Sequence, residues 1–169
     1  GCNSGQNVLV TVEPDPALTS TLAPASICSG TLFTYTPASS TAGASFSWSR
    51  SVVAGISQGA SGGIGPVSEI LTNTTTSPVS VTYAYSVSAN GCTNPSVFNV
   101  VVAVNPTPTL SSSLAVSSCS GATFNYSATS ATAGVSFSWS RAAVAGISEA
   151  ASSGLTGIIS ETLTNLTNT

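Results

Sequence analysis

Residues 79–91 read VSVTYAYSVSANG. Val79, Val81, Tyr83, Tyr85 and Val87 alternate with Ser80, Thr82, Ala84, Ser86 and Ser88. A period of two sends successive side chains to opposite faces of a strand, so one face is buried and the other is rich in hydroxyls. Asn90-Gly91 follows at once, the pair best suited to a tight hairpin turn. The alternation then resumes in Phe98, Val100, Val102 and Val104. Upstream, Phe33 and Tyr35 share one face of a strand. Phe46 and Trp48 do the same, with Ser45, Ser47 and Ser49 pointing outward. Residues 52–67 (VVAGISQGASGGIGPV) are glycine-rich and read as loop with one short strand. No segment keeps a 3.6 period, so no helix is expected.

The same strand set occurs again. Residues 41–57 (TAGASFSWSRSVVAGIS) and 132–148 (TAGVSFSWSRAAVAGIS) are identical at 14 of 17 positions, 91 residues apart. Cys28-Ser29-Gly30 recurs as Cys119-Ser120-Gly121, and Phe33-Thr34-Tyr35 as Phe124-Asn125-Tyr126. Ser68-Glu69 and Leu71-Thr72-Asn73 recur as Ser160-Glu161 and Leu163-Thr164-Asn165, now 92 residues apart. Gly1-Cys2 with Val8, Val10 and Val12 mirrors Gly91-Cys92 with Val100, Val102 and Val104. Residues 1–12 are therefore expected to be the last strand of a preceding repeat, 13–105 a complete repeat, and 106–169 a second repeat lacking its last two strands. A period this long suits a chain of domains rather than a stacked solenoid. The chain is expected to be a slice of a longer tandem array. Pro14, Pro16, Pro106 and Pro108 mark the handover points.

Five to seven strands per repeat, with a Trp on the third, predict an all-β fold of tandem immunoglobulin-like antiparallel β-sandwich domains. The expected core aromatics are Phe33, Tyr35, Trp48, Tyr83 and Tyr85, with Trp139 in the second repeat. Aromatic residues stand where antibody-type domains place their inter-sheet cysteines. The succession C-S-G, F-x-Y, T-A-G-x-S-F-S-W-S-R, V-A-G-I-S, S-E-x-L-x-N, V-x-Y-x-Y and N-G-C resembles the PKD-like, immunoglobulin-fold repeats of Bacteroidota surface proteins. Those repeats form long arrays in cell-surface adhesins, including the gliding-motility kind exported by the type IX system. The resemblance implies a structural or adhesive role in a secreted filament or stalk at the cell surface, with no catalytic residues. The alternative is a carbohydrate-binding accessory module of a secreted enzyme.

Composition narrows the chemistry. Only 4% of the 169 residues are charged, with two Arg, five acids and no His, and the net charge is −3. Two cations cannot neutralise a phosphate backbone, so no nucleic acid is expected as partner. Without His, a first-row metal site would need an unusual ligand set, and a serine nucleophile has no base. No enzyme activity, metal or cofactor is expected. The glycine-rich residues 59–65 lack the Lys of a phosphate loop. No apolar run is long enough for membrane insertion, and residues 1–30 lack a signal-peptide pattern. Arg50 and Glu69, with their repeats Arg141 and Glu161, suit a structural ion pair better than a carboxylate- or sugar-binding site. Trp48 and Trp139 share the parity of Phe46 and Phe137, which favours the core over a sugar platform. Asn73, Asn125 and Asn165 open weak N-glycosylation triplets. Neighbouring repeats are the expected partners. Edge strands without Lys allow lateral self-association, and a hydroxyl-dense surface allows contact with polysaccharide.

Four cysteines complete the inventory: Cys28 and Cys119 before the second strand, Cys2 and Cys92 in the hairpin. Export would favour disulfides. A strand's length separates Cys28 from Cys92, beyond the span of a disulfide. The expected links therefore run between repeats: Cys28 to the hairpin of the following repeat, and Cys92 back to the preceding one.

Overall fold

The computed structural model describes residues 1–167, all as strand, turn or loop. Two compact units divide the chain, Gly1–Asn105 and Pro106–Thr169.

The first unit is a two-layer sandwich. One layer runs β1 (Ile27–Cys28), β8 (Phe98–Asn105), β6 (Val79–Ala89), β3 (Ser45–Arg50), β4 (Ser61–Ile64), and β7 (Cys92–Thr93) continues the hairpin from β6. The other layer pairs β2 (Leu32–Tyr35) with β5 (Val67–Ile70). The alternation of residues 79–104 holds through the centre of both strands: Val81, Tyr83, Tyr85, Val87, Val100, Val102 and Val104 are completely shielded from solvent, and Val79 and Phe98 at the strand ends are half-buried. Asn90 (φ 52°) and Gly91 (φ 82°) make the two-residue turn, with Ala89 opposite Cys92. Phe33 stacks on Tyr83 at 5.4 Å and Tyr35 leans on Tyr85 at 5.5 Å, so aromatic pairs join the layers where antibody domains use a disulfide.

Two expectations need correction. First, the sandwich is not wholly antiparallel. β1 runs parallel to β8, with Ile27 opposite Val104 and Cys28 opposite Asn105. The chain joins the open edge of β8, then turns at Gly30 (φ 78°) into the other layer. Cys28 thus lies within a strand. Second, Trp48 is half-buried rather than central. Its ring lies across its cross-strand partner Gly63, where a Cβ would come within 3.1–3.2 Å of the indole. Residues 1–12, expected to be the last strand of a preceding repeat, pair with no strand among the described residues. Val8, Leu9, Val10 and Val12 are exposed.

The V-A-G-I-S motif has a backbone reason. Gly55 has φ +86°, and a Cβ there would meet Thr75 Cγ2 at 2.7 Å and Val79 Cγ2 at 3.2 Å. Gly55→Ala combines a left-handed backbone with a clash, and is expected to cost about 1–3 kcal/mol in denaturant unfolding of this unit. A midpoint equal to the parent's would count against this account.

The second unit contains two two-stranded sheets: β9 (Thr123–Ser127) with β12 (Ile158–Thr162), and β10 (Trp139–Arg141) with β11 (Ser152–Gly154). They correspond to β2/β5 and β3/β4. The sequence SFSWSR forms a six-residue strand in the first unit but only a three-residue one here. The cause is pairing: β3 bonds both β4 and β6, whereas β10 bonds β11 alone. Cys119, the counterpart of Cys28, lies outside any strand for the same reason.

Candidate functional site

Parity along β3 places Arg50 on the inward face with Phe46 and Trp48, so a guanidinium is buried between the layers. A charge there must be paired and fully hydrogen-bonded. Arg50 Nε donates to Glu69 Oε2 at 2.9 Å, and Nη2 donates to Glu69 Oε1 at 3.4 Å and to the Gly59 carbonyl at 2.8 Å. Tyr83 Oη donates to Glu69 Oε2 at 2.7 Å. One carboxylate on β5 therefore ties together β3 and β6 of the opposite layer. Arg141 repeats the pair in the second unit, donating from Nε to Glu161 Oε2 at 3.0 Å and from Nη2 to the Ala150 carbonyl at 2.7 Å. Its side chain is 20% exposed against 1% for Arg50.

Burial pushes the Glu69 carboxyl up, but hydrogen bonds from Arg50, Ser61 and Tyr83, with the Arg50 charge, outweigh it and hold the group below the ordinary carboxylate range. A depressed folded-state pKa stabilises the fold above the unfolded value of about 4.3, and that contribution is lost as pH falls through the lower folded value. The phenols shift the other way. Burial, then the Tyr35 phenol, raises Tyr85 to about 12. Burial, then the bond to Glu69 and its charge, raises Tyr83 further. Neutral phenols therefore favour the fold until pH exceeds about 10, where unfolded tyrosines ionise. The first unit should thus lose stability both in acid below about pH 4 and above about pH 10. Denaturant midpoints against pH test this, and the phenolate absorbance of Tyr83 and Tyr85 should rise only as the unit unfolds. Their titration near the ordinary value with the fold intact would contradict it.

The other candidates divide. Phe33, Tyr35, Tyr83 and Tyr85 line the core; Trp48 packs edge-on against Tyr83 at 5.5 Å. Trp139 is half-buried and lies over Gly154, as Trp48 lies over Gly63. Both indole Nε1 atoms are buried without a hydrogen-bond partner. Asn73, singled out only for a glycosylation triplet, is instead a structural plug. Its Nδ2 donates to the carbonyls of Ser77 (2.8 Å) and Val104 (2.7 Å), and Oδ1 accepts from Thr75 N and Oγ1. A glycan on that nitrogen would break the bond that anchors the end of β8. Sequence offered one clue, the recurrence of L-T-N at the end of each repeat.

Cys2, Cys28 and Cys119 are exposed, Cys92 is half-buried, and none of the four is bonded to another. Cys28 is level with Asn105, beside Val79, whereas Cys92 is level with Ala89 at the far end of β6. That places them roughly 30 Å apart along the strand, against a disulfide span of about 7 Å. Among the described residues, no three His, Cys, Asp or Glu side chains converge as a metal site, and no helix is long and apolar enough to cross a membrane. The arrangement holds layers together; its polar groups are spent on one another.

No curated protein and no solved structure matches the chain. The family model described as a PKD-like domain matches residues 25–108, a stretch that begins just before β1 and ends just past β8, so the sandwich of the first unit is similar to a PKD-like domain over all of its strands.

Proposed function

We propose that the chain serves as a non-catalytic structural and adhesive repeat of a long secreted cell-surface filament or adhesin stalk, of the kind that Bacteroidota export for surface attachment and gliding. The observation that carries this reading is that Arg50 and Glu69, the residues best equipped for chemistry, are repeated as Arg141 and Glu161 and are engaged internally in each copy. What repeats here is a fold-holding device. Trp48, the residue a carbohydrate-binding module would present to a sugar ring, lies over Gly63, which weakens that alternative. Neighbouring repeats are the first partners in this reading. Cys28 and Cys92, at opposite poles, suit disulfides between repeats that would stiffen the array. The edge strand β4 (Ser61–Ile64) carries no charge and suits lateral contact with other arrays or with polysaccharide.

The test is mechanical. In single-molecule extension of the tethered chain, the first unit should resist as one cooperative element and give one contour-length step matching its folded residues. The same chain should show no turnover of generic ester, glycoside or peptide substrates. Gradual extension without a discrete step would overturn this mechanical role.

A further inference from the structure

The two-residue turn between β6 and β7 combines two features that occur once each. Asn90-Gly91 is the one Asn-Gly pair in the sequence. Among the described residues, Asn90 is also the one residue other than glycine with a positive φ. Both residues are exposed, and nothing lies within 4 Å of where a Gly91 Cβ would stand. An Asn side chain followed by an unhindered glycine amide holds both halves of a cyclisation, and here the turn keeps them apart. With Asn90 at φ 52° and Gly91 at φ 82°, the turn is the mirror image of type I, whose first central ψ is about +30°. That ψ sets the Gly91 nitrogen nearly anti to the Asn90 Cβ, out of reach of Cγ. The side chain is also held. Its Nδ2 donates to Glu13 Oε2 at 3.1 Å, and its Oδ1 lies 3.4 Å from where a Gly43 Cβ would stand.

We propose that Asn90-Gly91 is a self-modification site gated by the fold: the closed turn blocks the reaction, and opening of the hairpin releases it. In the opened chain the Gly91 nitrogen attacks Asn90 Cγ. A C–N bond forms, the Cγ–Nδ2 bond breaks, and ammonia leaves carrying the proton that Gly91 gives up. Water then opens the cyclic imide at either carbonyl, leaving an aspartyl or an isoaspartyl residue at position 90. The isoaspartyl product routes the main chain through the side-chain carbon. It adds one atom to a turn whose flanks are paired, Ala89 with Cys92 and Ser88 with Thr93, so the same two-residue loop cannot close again. Either product puts a carboxylate where an amide met Glu13. The hairpin grips the same incoming segment a second time, through Asn94 Nδ2 on the carbonyl of buried Pro16 at 2.8 Å. One opening event is thereby written into the chain as a loosened hold on residues 13–16. Asn94 cannot react in this way, because the nitrogen of Pro95 carries no hydrogen. The inference stands on the chemistry of this turn and not on the adhesive reading.

The full chain is incubated at neutral pH, folded in buffer and unfolded in urea. Beside it runs the full chain carrying Asn90→Gly, which suits the same turn and has no amide to lose. Mass spectrometry of the chymotryptic peptide 86–98, with labelling by an isoaspartyl methyltransferase, reads conversion at position 90. The expected result is conversion at least about tenfold faster in the unfolded chain than in the folded one, because the reaction follows the population of the open form. After return to buffer, the converted chain should unfold at a lower denaturant concentration than the unconverted chain. The Asn90→Gly chain, treated in the same way, should keep its midpoint, which assigns the loss to position 90. Equal conversion rates in the two states overturn the proposal. So does an unfolded chain free of isoaspartate, and so does a converted chain that keeps the parent's midpoint.

Discussion

Tyr83→Ala is expected to lower the stability of the first unit by about 3–5 kcal/mol, the range for removing a fully buried aromatic. Tyr83 is completely shielded, stacks on Phe33, meets Trp48 edge-on, and donates to Glu69. Truncation therefore opens a cavity at the junction of the two layers and leaves Glu69 Oε2 short of one donor. Tyr83→Phe separates these terms. It keeps the ring and removes only the hydroxyl, and should cost about 1.5–3 kcal/mol, the range for a hydrogen bond to a charged group. Trp48→Ala should cost less than Tyr83→Ala, because Trp48 is half-buried. Denaturant unfolding followed by far-ultraviolet circular dichroism reads all three. A Trp48→Ala loss larger than that of Tyr83→Ala would mean that the third strand, not the sixth, centres the core.

The strands legible in the sequence were those whose neighbours are also in the sequence. Residues 79–104 declared themselves because both partners of the hairpin alternate strictly, and Asn90-Gly91 fixes the turn between them. Phe33 with Tyr35 and Phe46 with Trp48 were readable for the same reason. The parallel pairing of Ile27–Cys28 was not, since two residues carry no period. Residues 1–12 carry valines that match those of β8, but a strand is a property of a pair, and none of the described residues pairs with them. The contrast between SFSWSR in its two settings makes the same point at constant sequence. For the polar network, recurrence linked Arg50 to Glu69, whereas the burial of Arg50 on the face of Phe46 and Trp48 emerged only with the strand itself. The part played by Tyr83 was hidden, because a tyrosine within an apolar alternation looks like any other core residue until its hydroxyl is located. Asn73 was hidden behind a common triplet whose chemistry, in a buried position, is to hold two carbonyls.

Arg50→Ala should cost the first unit about 3–5 kcal/mol, because removing one partner of a buried pair leaves the other uncompensated. The loss should fall toward the low end, since Glu69 is 16% exposed at its side chain and keeps the bond from Tyr83. Two further substitutions identify the cause. Arg50→Met with Glu69→Leu removes both charges and fills the space, and should recover most of the loss, because a well-packed apolar pair often equals a buried ion pair. Arg141→Ala removes the repeat-equivalent cation, whose side chain reaches solvent, and should cost clearly less than Arg50→Ala. The acid sensitivity should change in step. With Arg50 gone, the Glu69 carboxyl loses its strongest downward influences and rises toward or above the ordinary range, so the fall in stability begins at a higher pH than in the parent. If Arg50→Ala and Arg141→Ala prove equal, or if the apolar double variant is no better than Arg50→Ala alone, then the ion pair is not what joins the layers. The stacked rings of Phe33 with Tyr83 and of Tyr35 with Tyr85 would then hold the sandwich by themselves.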